Sequence, residues 1–123
     1  MAIEFHIEDR ALPDGTPVVA VAGEIDLFTA PEFKRHVQRA LDGDAPRLVV
    51  DLTETTFLDS SSLGVLIGAH RRLTGGGRAP LIVVVDDRTV VKTLRITGLN
   101  ALFTVVPSVA DVPTPDGTEP AAA

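Results

Sequence analysis

The chain has no cysteine, tryptophan or tyrosine among its 123 residues, and five phenylalanines are its only large aromatic residues. The absence of cysteine excludes disulfides, thiolate metal sites and cysteine nucleophiles. Few aromatic rings are available on which nucleic-acid bases or sugars would stack. The core must therefore be aliphatic, since valine, isoleucine, leucine and alanine make up nearly all of the 45% hydrophobic residues.

Basic runs and long apolar runs are also missing. The net charge is −6, and the 11 lysines and arginines are scattered between Arg10 and Arg95. This distribution disfavours direct binding to nucleic acid and to anionic membranes, which both depend on clustered cations. No apolar run approaches the roughly 20 residues that cross a bilayer, and the N-terminal residues do not have the pattern of a signal peptide. We expect a cytoplasmic protein without membrane insertion.

Periodicity predicts a single α/β domain over residues 1–106. Residues 3–22 have the pattern of an antiparallel hairpin around a Pro-Asp-Gly turn. Strands are predicted at 47–52, 80–85 and 102–106, with helices after Thr29, after Asp59 and from Arg88 to Thr97. The order β-β-α-β-α-β-α-β predicts a mixed sheet of four to five strands, opened by the hairpin, with helices packed on it.

Two helices carry more detailed expectations. Thr29 and Glu32 have the spacing of a capping box, and the spacing of the following apolar residues predicts a buried stripe of Phe33, Val37 and Leu41. In the third helix we expect Val91 and Leu94 to be buried.

Composition changes at Pro107. The last 17 residues contain four prolines and end in three alanines. Such a segment buries little apolar surface, so residues 107–123 are predicted to be a disordered tail. Residues 109–113 offer only the stub of a final helix, because a proline cuts it short.

The segment Asp59-Ser60-Ser61-Ser62 lies where a strand ends and a helix begins. All four side chains are good helix N-caps, so helix capping alone is one explanation of the segment. The alternative is a modification site, since free amides and the helix dipole favour a phosphate at a helix N-terminus.

A second segment, residues 23–29, joins the second strand to the first helix. Phe28 either packs against the helix start as a hydrophobic staple or belongs to a contact patch with Glu24 and Asp26. The two strand-to-helix turns are expected at the same end of the sheet, where α/β sheets generally recognise their partners.

The sequence offers no catalytic site. His70 lies about ten residues along the same helix as Ser60, roughly 15 Å away, which excludes a Ser-His pair. His6 and His36 have no metal-ligand spacing, and no phosphate-binding glycine loop is present. We expect a protein that is not an enzyme and holds no metal or cofactor.

Taken together, the segments 23–29 and 58–64 resemble those of the STAS domain. They resemble more narrowly the bacterial anti-sigma factor antagonists, also called anti-anti-sigma factors. The resemblance covers about residues 3–106.

The resemblance implies a function and a partner. Such a protein, unphosphorylated, binds a serine kinase that is also an anti-sigma factor, and phosphorylation of the serine after the motif aspartate releases it. A metal-dependent PP2C-type phosphatase reverses the modification. Carried over, Ser60 is the phosphate acceptor. The expected partner-binding residues are Asp26, Phe28, Thr29, Asp59, Ser61, Ser62 and Gly64.

One residue departs from the family pattern, which usually has glycine where Ser62 stands. Ser62 adds a side chain and a third candidate hydroxyl. The alternative function keeps the fold but makes the protein a STAS subunit of a lipid-transport ATPase or a larger sensory complex. Ser60 would then be a contact residue that is never phosphorylated. In either case we expect a monomer or a weak dimer.

Overall fold

The structure is a computed structural model that describes residues 3–114 and contains five strands and three α-helices in that range. Two single-turn 3₁₀ helices follow α3, at Leu99–Ala101 and Val109–Asp111. The main elements, in chain order, are β1 (His6–Ala11), β2 (Pro17–Ile25), α1 (Ala30–Leu41), β3 (Val49–Leu58), α2 (Ser60–Gly75), β4 (Ile82–Val84), α3 (Arg88–Ile96) and β5 (Thr104–Val106).

The five strands form one mixed sheet in the order β1-β2-β3-β4-β5. β1 pairs antiparallel with β2, and every later pair is parallel. The predicted fold class and the predicted order of strands and helices are therefore confirmed. β4 is a central strand, and the run from Leu81 to Val85 is buried throughout, as expected for a strand covered on both faces.

All three helices pack on one face of the sheet. Phe33 of α1, Leu66 of α2 and Leu94 of α3 join the same core cluster as Val50 and Val83 of the sheet. The alternate residues of the strands point the other way and build a smaller cluster on the opposite face, which contains Val18, Val49, Ile82, Val84 and Val112. The period of two along each strand thus divides the aliphatic residues between two layers.

Three local expectations were wrong in position. β1 begins at His6 rather than at residue 3, and β3 continues to Leu58, six residues beyond its predicted end. The extension of β3 pairs with the end of β2, which satisfies its backbone groups although β4 has already ended. In α3 the fully buried residues are Val90 and Leu94, one helical turn apart, while Val91 is only half-buried.

Residues 107–114, predicted as the first part of a disordered tail, have an ordered path on the second face of the sheet. Val112 is only 6% exposed and packs in the smaller cluster. Arg47 donates a hydrogen bond from Nη1 to the carbonyl of Pro113 at 2.5 Å and another from Nη2 to Asp14 at 3.2 Å. The prediction of disorder rested on the composition of the segment alone. In the structure, Val112 packs against the sheet and the carbonyl of Pro113 accepts a hydrogen bond from Arg47. The rest of the predicted tail, 115–123, lies outside the described residues.

Phe28, in the loop before α1, and Phe33, in the first turn of α1, give a matched test of this core. Phe33 is fully buried and Phe28 is 89% exposed. We expect Phe33→Ala to lower the free energy of unfolding by about 3–5 kcal/mol, because it removes buried surface and leaves a cavity. Phe28→Ala should change it by less than about 0.5 kcal/mol. Urea unfolding followed by circular dichroism measures both, and equal losses would contradict this assignment of the core.

Candidate functional site

The two strand-to-helix turns meet at one edge of the sheet, as predicted. In the parallel pair of β2 and β3, Glu24 lies opposite Phe57 and Ile25 lies opposite Leu58. The amide of Asp59 then donates to the carbonyl of Ile25 at 3.3 Å. The loop after β2 and the start of α2 are therefore adjacent and joined by the backbone. We call the surface formed by residues 24–29 and 57–64 the switch edge.

Asp59 is the N-cap of α2 and organises its first turn. Its backbone is extended, and its Oδ1 accepts hydrogen bonds from the Ser61 hydroxyl at 2.5 Å and from the Ser62 amide at 3.1 Å. The hydrogen bond from Ser61, followed by that from the Ser62 amide, lowers the pKa of the Asp59 carboxyl from its ordinary value. Of the two interpretations of this segment, helix capping is thus correct for Asp59.

Ser62 is fully buried, so the expectation that it offers a surface hydroxyl or a direct partner contact is wrong. Its Oγ lies 2.5 Å from the carbonyl oxygen of Ile25 and 3.0 Å from Oδ1 of Asp59. A hydroxyl donates only one proton at a time, and the shorter distance favours the Ile25 carbonyl as its acceptor. Ser62 therefore connects α2 to the end of β2.

Ser60 has the opposite environment. It is the first residue of α2, is exposed, and its hydroxyl makes no hydrogen bond within residues 3–114. Ser61 is half-buried, and its hydroxyl is engaged by Asp59. Of the three consecutive serines, Ser60 alone combines an accessible side chain with an unengaged hydroxyl in the described structure.

The loop before α1 is held by its own side chains. Oδ1 of Asp26 accepts from the amides of Phe28 at 2.9 Å and Thr29 at 3.1 Å. The Thr29 hydroxyl in turn accepts from the amide of Asp26 at 2.8 Å. The predicted capping box is therefore wrong: Thr29 makes no side-chain cap to α1, because its hydroxyl bonds back into the loop.

This loop exposes two apolar side chains. Phe28 is 89% exposed and Leu27 is 69% exposed, so Phe28 does not staple the helix. Both side chains lie in a loop whose conformation Asp26 and Thr29 hold in place, and loops fixed in this way commonly carry binding residues. Of the two interpretations left open by the sequence, the contact patch agrees with the exposure of Phe28.

Gly64 lies on the open side of α2. A Cβ atom added there would meet no heavy atom within 4 Å. Gly64 and Ser61 line a shallow groove between α1 and α2, together with Leu27, Pro31, Lys34 and Val65. A glycine inside a helix costs stability, and nothing within the described chain requires this one. The groove leaves space for close approach from outside.

The histidines have local partners that do not include Ser60. His70 accepts a hydrogen bond from the amide of Leu81 at 3.3 Å and its ring lies 5.4 Å from that of Phe103. His36 contacts Asp9 and His6 contacts Glu8. Within residues 3–114, no three His, Cys, Asp or Glu side chains group as metal ligands. No helix in this range is long and apolar enough to cross a membrane.

Comparison with known proteins agrees with this architecture. The family model described as the STAS domain matches residues 9–112. The chain belongs to the STAS family. A relative in Listeria monocytogenes, named anti-sigma-B factor antagonist, is 33% identical over 87 residues, which cover 71% of this chain and 75% of that protein.

Solved structures of anti-sigma factor antagonists match the fold. An anti-sigma factor antagonist from Mycobacterium paratuberculosis is 32% identical, with a TM-score of 0.76 over 89% of this chain and 90% of that one. The anti-sigma factor antagonist SpoIIAA in its unphosphorylated form is 20% identical, with a TM-score of 0.70 over 84% and 90% of the two chains. At that identity, the likeness to SpoIIAA shows the fold alone.

The buried hydroxyl of Ser62 gives a stability prediction. We expect Ser62→Ala to lower the free energy of unfolding by about 1 kcal/mol, because the Ile25 carbonyl loses a buried donor. Ser60→Ala, the same substitution two residues earlier, should change it by less than about 0.5 kcal/mol, since its hydroxyl is exposed. Chemical denaturation of the two variants checks this order, and an equal effect would contradict the link from Ser62 to β2.

The lowered pKa of Asp59 predicts a pH-dependent contribution to stability. The ionised carboxylate stabilises the fold fully above its ordinary pKa of 3.8, and this stabilisation is lost as the pH falls through the lower folded-state value. The difference in unfolding free energy between wild type and Asp59→Ala should therefore be largest near neutral pH and shrink below about pH 4.

Urea unfolding at a series of pH values measures this difference. The control is Asp44→Ala, since Asp44 is exposed and its side chain makes no hydrogen bond or ion pair in the described structure. The control should give a small difference at every pH. A constant difference for Asp59→Ala across the series would show that its carboxylate does not favour the ionised form in the folded state.

Proposed function

We propose that this STAS protein is an anti-sigma factor antagonist that binds an anti-sigma serine kinase in its unphosphorylated form and is released by phosphorylation at Ser60. One observation carries the proposal: Ser60 presents an exposed, unengaged hydroxyl at the first position of α2. The names of the relatives support the same function, and Ser60 directly follows the N-cap aspartate, where the family resemblance places the acceptor.

The chemistry requires only a hydroxyl from this chain. Ser60 Oγ attacks the γ-phosphorus of ATP bound to the kinase, a new O–P bond forms, and the bond to ADP breaks. The serine proton passes to a base on the kinase, and ADP leaves. Asp59 does not act as that base in this proposal. Its carboxylate accepts from Ser61 and from the Ser62 amide, so its role is to fix the helix start that presents Ser60.

The added phosphate would change the surface more than the fold. It adds about 1.5 to 2 negative charges to the edge that already holds the carboxylates of Asp26 and Asp59. The same edge exposes Phe28 and Leu27, which a partner would cover. A partner that covers these side chains and the neutral serine would have to bury the phosphate away from water, which is costly without cations to pair with it. Release of the kinase follows.

The proposed partner-binding residues divide into two groups. Phe28, Ser61 and Gly64 lie on the surface or in the groove and would contact the kinase directly. Asp26, Thr29, Asp59 and Ser62 instead hold the two segments in place through their hydrogen bonds. Substitutions in the second group would therefore act on binding through the conformation of the switch edge.

Reversal of the switch needs a second enzyme. We assign this step to a PP2C-type phosphatase, whose metal would activate a water for hydrolysis of the O–P bond, returning the Ser60 hydroxyl and inorganic phosphate. The position of Ser60 in the first turn of α2 supports access by a phosphatase, because an exposed first-turn side chain is open to a second active site, and the PP2C type follows from the family resemblance alone.

The switch predicts opposite behaviour for two substitutions of the same residue. Purified chain is incubated with ATP and an anti-sigma serine kinase from the same genome, and the phosphorylated position is read by mass spectrometry. Phosphate should be found on Ser60, be lost in Ser60→Ala and be retained in Ser61→Ala.

Ser60→Asp should weaken binding to the kinase by about tenfold or more, because it places a charge in the contact.

Calorimetry of the complexes supplies the decisive comparison. Ser60→Ala should bind the kinase within about twofold of wild type, since it keeps the surface neutral. Equal affinities of Ser60→Ala and Ser60→Asp for the kinase would exclude the switch. Such a result would favour the constitutive STAS subunit of a transport ATPase or sensory complex.

A further inference from the structure

The outward face of α3 carries a stripe of cations with apolar side chains between them. Arg88, Lys92 and Arg95 follow one another at spacings of four and three residues, with Val91 and Ile96 on the same side. These five residues, together with Asp86 at one end, line a shallow groove along the helix. We call the five residues the α3 stripe.

The fold accounts for only one of these cations, since Arg95 lies in the last turn of α3, where the helix dipole favours positive charge. None of the three cationic side chains makes a hydrogen bond or an ion pair in the described part of the chain, and all three residues are exposed. Like charges at these spacings destabilise a helix. Arg88 adds a further cost, because a cation in the first turn is opposed by the helix dipole.

The exposure of Ile96 also indicates a surface that a partner would cover. Ile96 is 73% exposed, the second most exposed of the large apolar side chains in the described range after Phe28. Next to it, Arg95 and Lys92 bring long aliphatic stems to the same face. The stripe thus offers positive charge and apolar area together, on a chain whose net charge is −6.

We propose that the α3 stripe is a docking surface for an acidic amphipathic segment of a partner protein. Carboxylates of that segment pair with Arg88, Lys92 and Arg95, and its apolar side chains cover Ile96 and Val91. This interaction goes beyond the switch proposed for Ser60 and does not require its phosphorylation.

Charge and size favour a protein segment over the other anionic partners. The stripe is about 14 Å long, the length of a nine-residue helix. A membrane or a DNA duplex extends past it and meets the acidic remainder of the surface, which repels both. A short segment meets the stripe alone. A second copy of this chain placed symmetrically against α3 would set three cations against three cations.

The probe is a synthetic, fluorescently labelled helical peptide. It carries glutamates at positions i, i+4 and i+7 with leucines on the adjoining face, and a second peptide replaces each glutamate with glutamine. Binding to the full chain is measured by fluorescence anisotropy, and the contact is mapped by amide chemical shifts. We expect the glutamate peptide to shift residues of α3 and the glutamine peptide to bind at least about tenfold more weakly.

A matched pair of charge reversals tests the location. Arg88→Glu with Lys92→Glu should weaken peptide binding by about tenfold or more. Arg39→Glu with Arg71→Glu is the control, because it changes the net charge equally at two exposed arginines that have no ion pair in residues 3–114. The control should change affinity by less than about twofold. If the reversed variant fails to fold, Arg88→Gln with Lys92→Gln supplies the same comparison.

Several results would overturn the proposal. Equal losses in the two double variants would indicate nonspecific attraction, and shifts outside α3 would place the contact elsewhere. Tighter binding of the stripe to phosphatidylserine vesicles or duplex DNA would assign it to a membrane or a nucleic acid instead. Ser60→Ala should bind the peptide like wild type, so failure of the switch and failure of this docking surface are distinguishable.

Discussion

The switch edge depends on the connection between the end of β2 and the first turn of α2. The carbonyl of Ile25 accepts hydrogen bonds from the amide of Asp59 and from the buried hydroxyl of Ser62. The carboxylate of Asp59 accepts a hydrogen bond from the amide of Ser62. Because these bonds link two segments that are far apart in sequence, the position of Ser60 relative to Phe28 is fixed by the sheet. A partner therefore meets a preformed surface, which lowers the entropic cost of binding.

A fixed edge would also allow the proposed phosphorylation of Ser60 to act without a conformational change in this chain. Oδ1 of Asp59 is occupied by Ser61 and Ser62, and Asp26 is occupied by the amides of its own loop. A phosphate on Ser60 has no carboxylate to displace and only adds negative charge beside them. Under the proposed switch, the partner would therefore distinguish the two states by the charge that it must bury.

Much of this arrangement follows from sequence patterns, but the role of Ser62 does not. The apolar periodicity predicted Phe33 in the core, and the parallel strands predicted that the two turns meet. Three adjacent serines have equal capping propensity, so local sequence does not distinguish them. The helical spacing of Ser62 with Leu66, Ala69 and Leu73 is a signal that would have placed it on the buried face. Phe28 remained ambiguous because staple and contact residues share one pattern, and exposure depends on the loop conformation.

The switch edge and the α3 stripe carry charges of opposite sign, and this difference separates the roles proposed for them. The switch edge contains the acids Asp26 and Asp59 and the exposed Phe28, whereas the α3 stripe is basic and apolar. A phosphate on Ser60 would add negative charge to the first surface, and its effect on the second falls with distance, since salt screens exposed charges over about 8–10 Å. Each surface excludes partners of its own sign. If both proposals hold, a small chain with one core presents two contacts of opposite charge, of which only the first contains the proposed phosphate acceptor.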